Sequence, residues 1–348
     1  MKVSVIIPTI NDPHLIRTIN SVWSNRTGEI EFIIMSDGGT MLDMANGNQL
    51  RKAIDLCNIK KILHNPITVG RRVSINNAAR IATGDYLFTL DSHCSMTEGW
   101  DTKLVESCGD KNIAYSVIRD IHPDTWEYRP GDYLHVRLNK DYTEKWWKRK
   151  TLEECQTEEE SIAFTGCAWM INKERYWQLG GYDESLGHYG WDGPEWACKI
   201  WMGNDPARVI LRTDVICGHI FGTNDGGKLY PCQMISKEDY VKYMKERYED
   251  KIGKLIEYFA PVPDWTEKGT QMSQNVKREI KVNREDEHVT RNEVGEVIKK
   301  VIEYFEYIYT DNGNGPTPDE IAKKYGPKAN KVREEVWEVK DGQLQKVA

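Results

Sequence analysis

The sequence predicts an α/β fold, with a doubly wound and mostly parallel sheet, on two observations. Short runs of β-branched and apolar residues alternate with stretches of helical periodicity over residues 3–100. Each apolar run is followed by a polar or glycine-rich loop. In such sheets, ligands bind outside the carboxyl ends of the strands. We therefore expect the functional residues in the loops that follow the strands.

The predicted elements follow in chain order. Asn11-Asp12-Pro13 is predicted to begin the first helix, because Asn and Asp favour the helix N-cap and Pro favours the first turn. A helical pattern also ends near Cys57. The predicted strands cover residues 3–9, 30–35, 61–63 and 86–90, and a further helix covers residues 73–82.

Composition limits the classes of function. Hydrophobic residues make up 39% of the 348 residues, which is enough for a substantial core. The net charge of −7 excludes a general attraction to nucleic acid or acidic membranes, so any such contact needs a local patch. We find no signal or transmembrane segment and expect no membrane contact. Eight cysteines without a C-x-x-C pair predict reduced thiols and a cytoplasmic location, the host cytoplasm if the chain is of phage origin.

Polar residues at the strand ends are the candidate ligands. Asp91 and His93 follow the strand at 86–90, and as alternate residues they are expected on one side, where oxygen and nitrogen donors suit Mn²⁺ or a similar ion. Asp37 could accept from a base or ribose, or simply form a turn. Arg72, before a helix, could bind a diphosphate, or be a solvated charge.

Several ordered motifs lie in the first 232 residues. They are Val3–Pro8, Leu90-Asp91-Ser92-His93-Cys94 with Gly99-Trp100, Val117–Asp120, Gly166–Ile171, Leu179–Asp183, Tyr189–Trp201 and Cys217–Phe221. With these motifs the chain resembles nucleotide-sugar glycosyltransferases of the GT-A fold, a Rossmann-like sheet flanked by helices. Within them it is most similar to the catalytic domain of the polypeptide N-acetylgalactosaminyltransferases. The resemblance implies a UDP-sugar donor, a divalent cation such as Mn²⁺, and retention of anomeric configuration.

The resemblance also implies roles for individual residues. It implies a metal site of Asp91, His93 and His219, donor contacts from Thr9, Asp37, Arg72, Asp91 and Trp191, and catalytic roles for Asp192 and Glu195. Asp192 stands where the family has Glu, and Trp191 where it has Gly, so the sugar and the acceptor are open. Asp192 and Glu195 could instead be first-turn partners of a helix dipole. Trp169, Trp191 and Trp196 could form a stacking wall or pack in the core.

The chain is expected to contain three parts. Residues 1–232 form the GT-A catalytic domain, residues 233–289 a helical extension and linker, and residues 290–348 a winged helix-turn-helix-like domain. In the last part, helices are predicted at 294–305, 317–326 and about 329–337, before a hairpin at 336–347 with an Asp-Gly turn. This order resembles winged helix-turn-helix domains of the SOS-repressor type, whose third helix usually enters a DNA major groove.

Three functional hypotheses follow. The predicted cytoplasmic location and the winged helix-turn-helix-like tail favour transfer to a hydroxymethylated base in duplex DNA, as in phage-type DNA modification. The base would have to be flipped out of the duplex to reach the site. The resemblance of the catalytic part favours Ser or Thr hydroxyls of a protein. A non-catalytic nucleotide-sugar or DNA-binding protein is the third. From Arg291 to Ala348 there are ten Lys or Arg and eleven Asp or Glu, so the tail is not basic and could instead bind a protein.

Overall fold

A computed structural model describes residues 1–38, 57, 59–129, 135–221 and 235–265, and the backbone of four later strands. The chain divides into two compact units, Met1–Glu267 and Lys268–Ala348. In the described part of the chain, we find no helix with both the length and the apolar character needed to cross a lipid bilayer.

A nine-stranded sheet forms the centre of the first unit. Its strands are β1 (Lys2–Thr9), β2 (Glu29–Asp37), β3 (Ile59–Asn65), β4 (Tyr86–Thr89), β5 (Cys94–Met96), β6 (Ile113–Asp120), β9 (Glu158–Glu160), β10 (Trp169–Asn172) and β11 (Val209–His219). The strands β7 (His135–Leu138) and β8 (Glu144–Trp147) form a separate antiparallel pair.

The sheet order is β3-β2-β1-β4-β10-β6-β11-β5, with β9 paired to β11. The block β3-β2-β1-β4 is parallel, as is the pair β6 and β11. Strand β10 runs antiparallel between β4 and β6. The parallel block brings the carboxyl ends of β1, β2 and β4 to one edge of the sheet, and this is where the predicted site residues lie.

Helices cover both faces of this sheet, and a separate hydrophobic core lies on each face. The helices are α1 (Leu15–Ser24), α2 (Arg71–Ile81), α3 (Trp100–Cys108), α4 (Lys173–Gln178), α5 (Asp192–Met202) and α6 (Lys237–Phe259). Helix α6 begins at the N-cap Ser236 and buries a stripe from Tyr240 to Phe259 in the core that also contains α5. It therefore belongs to the first unit.

The sequence predicted most of these elements. The predicted strands at 3–9, 30–35, 61–63 and 86–90 correspond to β1 to β4, and the predicted helix at 73–82 corresponds to α2. Helix α1 begins later than predicted, because the Asp12 carboxylate first accepts the His14 N–H in a turn. The helical stretch expected before Cys57 lies outside the described residues.

The second unit contains four antiparallel strands, β12 (Arg278–Arg291), β13 (Val297–Asp311), β14 (Asn330–Lys340) and β15 (Gln343–Lys346). The helices predicted at 294–305 and 329–337 are wrong, because strands β13 and β14 occupy residues 297–305 and 330–337. β-branched and aromatic residues dominate β13, and such residues favour strands. The paired β14 and β15 match the predicted hairpin strands. The helix predicted at 317–326 lies outside the described residues.

Candidate active site

Asp91, His93 and His219, hereafter the metal set, come together although 128 positions separate the first from the last. One potential ligand atom from each lies within 4.8 Å of the others. Asp91 and His93 lie in the turn between β4 and β5, directly after the strand that was predicted at 86–90. His219 ends β11, and strand pairing aligns it with Cys94, next to His93. The His219 Nε2 to Asp91 Oδ2 distance is 3.2 Å.

Asp12 holds one of the two histidines in place. Its Oδ2 atom lies 2.7 Å from His93 Nδ1 and also accepts a hydrogen bond from Ser92 Oγ at 2.9 Å. Burial would raise the pKa of Asp12, but the hydrogen bond and charge of His93 lower it to about 2. The ionised Asp12 keeps the proton on His93 Nδ1, so Nε2 is the ring nitrogen that can bind a cation.

The donor chemistry of the metal set fits a divalent cation. Two imidazoles and one carboxylate form a three-ligand arrangement that leaves further coordination positions open. Burial would raise the pKa of Asp91, but the Arg71 guanidinium and His219 lower it well below its ordinary range, so the carboxylate is ionised. His219 Nδ1 is buried and has no hydrogen-bond partner among the described residues. The nitrogen of His219 that faces Asp91 is Nε2, so this is the atom that would bind a cation together with the carboxylate.

The two neighbouring arginines at the start of α2 have different environments. Arg71 Nη1 lies 2.9 Å from Asp91 Oδ1, and its Nε lies 3.6 Å from Asp192 Oδ2. Arg72 is fully buried, forms an ion pair with Glu195, and donates to the Gly190 carbonyl at 2.6 Å. The structure therefore brings Arg71 to the metal set, whereas Arg72, the residue singled out from the sequence for the diphosphate, lies beneath α5.

Asp192 and Glu195 both lie in the first turn of α5, but they face different partners. Asp192 lies between the two arginines, with Oδ1 3.4 Å from Arg72 Nη2. Burial raises the pKa of Asp192, and the two arginines partly offset this. Glu195 is 1% exposed and contacts Arg72 and Lys199, with Lys199 Nζ at 2.5 Å from Oε1. The structure thus brings Asp192 near the metal set through Arg71, and buries Glu195 behind it.

The three tryptophans considered for a stacking wall separate into two groups. Trp169 and Trp196 are fully buried and pack on each other with ring centroids 5.0 Å apart, so they belong to the core. Trp191 is partly exposed, precedes α5 with a left-handed φ of 58°, and stacks on Tyr240 at 5.1 Å and 17°. Only Trp191 of the three is therefore available to a ligand. Its Nε1 has no hydrogen-bond partner among the described residues.

The two remaining predicted donor contacts lie at the ends of neighbouring strands. Thr9 pairs with Ser36 in the sheet, and its buried Oγ1 has no hydrogen-bond partner in the described part of the chain. Asp37 accepts hydrogen bonds from the backbone N–H groups of Val69 and Gly70, at 2.9 and 2.8 Å. Asp37 thereby fixes the loop that leads into α2, which is the turn-forming role considered for it from the sequence.

Glu144 is a carboxylate that the sequence argument did not identify. It begins β8, and its Oε2 is buried with no hydrogen-bond partner among the described residues. Burial, with the nearby Asp192 charge, raises the pKa of Glu144 to about 8. Tyr189, 45% exposed, interacts electrostatically with Asp91, Glu144 and Asp192. These groups therefore lie close together near the metal set. The pattern of strands in the sequence could not indicate that Glu144 lies near Asp192, because β8 lies outside the main sheet.

Residues 4–180, about half of the chain, match the family model described as glycosyl transferase family 2. The chain belongs to glycosyl transferase family 2. Family 2 membership agrees with the position of the metal set at the edge of a parallel strand block. The matched residues include β1 to β4, Asp91 and His93.

Within family 2, the chain is similar to proteins named as polypeptide N-acetylgalactosaminyltransferases. The Drosophila melanogaster protein named "Putative polypeptide N-acetylgalactosaminyltransferase 13" is 30% identical over 241 residues, which are 63% of this chain and 42% of that protein. Number 10 of Homo sapiens is 27% identical over 235 residues, 63% of this chain and 37% of that protein. The chain thus spans about two fifths of the length of these curated relatives.

A solved structure of GalNAc-T7 with UDP, GalNAc and Mn²⁺ has a similar fold. It superimposes with a TM-score of 0.62 at 23% identity, covering 74% of this chain and 50% of that chain. The predicted GT-A-like α/β fold is therefore confirmed for the first unit, together with the resemblance to polypeptide N-acetylgalactosaminyltransferase catalytic domains.

Proposed function

We propose that this protein is a metal-dependent glycosyltransferase that moves a sugar from a UDP-sugar to a hydroxyl group, with Ser or Thr side chains of a protein as acceptor. The observation that carries the proposal is the convergence of Asp91, His93 and His219 within 4.8 Å at the edge of the parallel strands. Family 2 membership and the names of the relatives support the same reaction class.

Asp91, His93 and His219 would hold Mn²⁺ or a similar divalent cation. Bound there, the cation would neutralise negative charge that develops on the leaving diphosphate. Asp12 would keep the His93 ring oriented through the 2.7 Å contact with Nδ1. The GalNAc-T7 structure was solved with UDP, GalNAc and Mn²⁺, which supports the same donor chemistry here.

Arg71 is the residue that we assign to the diphosphate. Its guanidinium lies at the metal set and is 11% exposed, whereas Arg72 is fully enclosed. A guanidinium matches phosphate oxygens in a bidentate manner. We assign the sugar to the region around Asp192, whose carboxylate could accept from a sugar hydroxyl. Trp191, stacked on Tyr240, would form one wall. Glu195 would act indirectly, because it fixes Arg72 and α5.

The acceptor assignment depends on the relatives and on the second unit. Relatives named as polypeptide N-acetylgalactosaminyltransferases favour a Ser or Thr hydroxyl. The hypothesis of a hydroxymethylated DNA base depended on a winged helix-turn-helix tail, and strands occupy two of its three expected helices. The Ser/Thr acceptor therefore has more support. The resemblance further implies retention of configuration, which NMR of the product anomer would test.

The decisive experiment measures UDP release by the full chain with Mn²⁺ and a panel of UDP-sugars. The acceptors are Ser/Thr peptides, hydroxymethylated duplex DNA and plain duplex DNA. Asp91→Asn removes the carboxylate of the metal set, and Asp110→Asn is the matched control on an exposed residue. We expect peptide-dependent release that a chelator and Asp91→Asn abolish, and that Asp110→Asn leaves unchanged.

Other results would contradict parts of the proposal. Release only with hydroxymethylated DNA would replace the Ser/Thr acceptor by a base. Release that persists in Asp91→Asn with chelator present would overturn the metal role. Tight UDP binding without release on any acceptor would favour the non-catalytic binding protein.

A further inference from the structure

Three cysteines converge in the core behind the metal set. Cys94, Cys167 and Cys217, hereafter the thiol cluster, come from three separate segments and are all buried. Their Sγ atoms all lie within 4.8 Å of one another, and the Cys94 to Cys167 Sγ distance is 3.6 Å. The sequence showed eight scattered cysteines without a ligand spacing, so only the fold reveals this arrangement.

Strand pairing explains why two of the thiols meet. Cys94 begins β5, and Cys217 lies near the end of the antiparallel β11. The register pairs Cys94 with His219 and Met96 with Cys217, so the two cysteines are diagonal neighbours on one face. Cys167 reaches them from the loop before β10. The Arg71 guanidinium donates to the carbonyl of the preceding Gly166 and so helps to fix this loop.

The spacing fits three sulfurs that share one metal ion. With a metal–sulfur bond of about 2.3 Å, the sulfurs of a tetrahedral site lie about 3.8 Å apart. The distance of 3.6 Å and the limit of 4.8 Å bracket that value. Thiolates select soft ions such as Zn²⁺ and Cu⁺ over Mn²⁺, whereas the metal set offers harder donors. The two sets could therefore hold different ions side by side.

The electrostatic surroundings are compatible with a charged metal–thiolate group. Three thiolates with Zn²⁺ carry a net charge of minus one. Arg71 lies close enough to Cys167 to offset part of this charge, although its guanidinium also faces Asp91 and Asp192. A cation would also tie together β5, β11 and the loop before β10. Strand β5 directly follows His93, and strand β11 ends at His219.

We propose that Cys94, Cys167 and Cys217 form a second metal site, which binds a thiophilic d¹⁰ ion, Zn²⁺ or Cu⁺, and braces the segments that carry the metal set. This site is independent of the transfer reaction, and its test does not require activity. The competing interpretation is that the cysteines are inert and pack as small hydrophobic side chains.

The experiment uses the full chain, purified under reducing conditions. Elemental analysis identifies any copurified Zn or Cu. The metal-free protein is then titrated with Co²⁺, whose thiolate complexes have an intense near-ultraviolet charge-transfer band, and in a second arm with Cu⁺ against a colorimetric Cu⁺ chelator. We expect one equivalent of thiolate-bound metal in at least one arm. Cys94→Ser, Cys167→Ser and Cys217→Ser should each lose it.

Two controls separate this site from its surroundings. Cys108→Ser makes the same substitution at a fully buried thiol outside the cluster, and should keep the signal. Asp91→Asn removes a ligand of the metal set and should also keep the thiolate band. Wild-type protein without thiolate-bound metal in either arm would overturn the proposal, whether or not the variants fold. So would a Cys94–Cys167 disulfide under reducing conditions, or a band that survives in the Cys217→Ser variant.

Discussion

Asp12 Oδ2 lies 2.7 Å from His93 Nδ1, so a carboxylate more than eighty residues away from the histidine sets its tautomer. Asp12→Asn keeps an oxygen that can accept this hydrogen bond but removes the charge. Because such outer partners typically change metal affinity about 10- to 100-fold, we expect a loss of that size in Mn²⁺ affinity. Calorimetric titration with Mn²⁺ measures it. Asp124→Asn, on an exposed carboxylate, is the control, and equal affinities in both variants would contradict the orienting role.

Arg72 is expected to matter for folding rather than for donor binding. Arg72→Met removes a buried cation from both Glu195 and Asp192 and leaves Lys199 as the remaining cation at Glu195, so we expect a loss at or below the typical cost of about 3–5 kcal/mol for breaking a buried pair. Denaturant unfolding without ligand measures the loss in free energy of unfolding. Arg80→Met, at an exposed arginine of the same helix, should change stability little. If Arg72→Met is as stable as Arg80→Met, then the pair with Glu195 is not structural.

Arg71, in contrast to Arg72, is expected to matter for donor binding rather than for folding. Arg71→Lys keeps the charge but loses the fork of donors, and one charge-assisted hydrogen bond is worth about 1.5–3 kcal/mol. We therefore expect kcat/KM to fall about 10- to 100-fold while the free energy of unfolding changes much less than in Arg72→Met. UDP release and denaturant unfolding, measured on the same preparations, separate the two effects. A larger loss of stability than of activity would count against a diphosphate contact.

Glu31 makes stability depend on acidic pH. Burial would raise the pKa of this carboxyl, but hydrogen bonds from Ser4 and Thr83 lower it from 4.5 to about 2. The stabilisation is therefore complete above about pH 4.5 and is lost as the pH falls towards 2, a change of about 3 kcal/mol. Glu31→Gln should flatten this part of the profile. Glu29 is exposed on the same strand, and Glu29→Gln should leave the dependence of stability on pH unchanged. If Glu31→Gln and wild type have the same pH profile of stability, Glu31 is not the cause.

Ionisation of Glu144 changes the free energy of unfolding in the opposite direction from ionisation of Glu31. The folded pKa of Glu144, about 8, lies above the ordinary value, so the folded protein holds the proton more tightly and loses stability as the pH rises from about 4.5 to 8. Glu144→Gln cannot ionise, and we expect it to be about 4 kcal/mol more stable than wild type near pH 8. Denaturant unfolding at several pH values measures this. A stability gap independent of pH would mean that Glu144 ionises normally.

The parallel strands and their helices could be predicted because each is a local pattern. Strands β1 to β4 are apolar runs ended by polar loops, and His219 was identified because its neighbours match a family motif. Strand β13 was mistaken for a helix because Val301, Ile302 and Phe305 also fit helical spacing. For a short apolar run, β-branched and aromatic content is the better guide.

The missed site residues depend on tertiary contacts. In the sequence, Asp12 is typical of a turn or helix start before Pro13, and only the fold brings it to His93. Arg71 and Arg72 are adjacent in sequence, but they point about 100° apart around the helix, so Arg71 reaches Asp91 and Arg72 reaches the buried Glu195. The sequence gives no periodic signal within a first turn that distinguishes them.

Strand β11 contains a bulge that changes its pairing register with β6. Arg212 pairs with Ser116, yet Ile216 pairs with the very next residue, Val117, so three residues of β11 loop out between them. Without the bulge, regular pairing from Arg212 and Ser116 onward would place Ile216 opposite Asp120, where His219 now lies. The three extra residues of β11 are therefore what brings His219 level with the turn that carries Asp91 and His93.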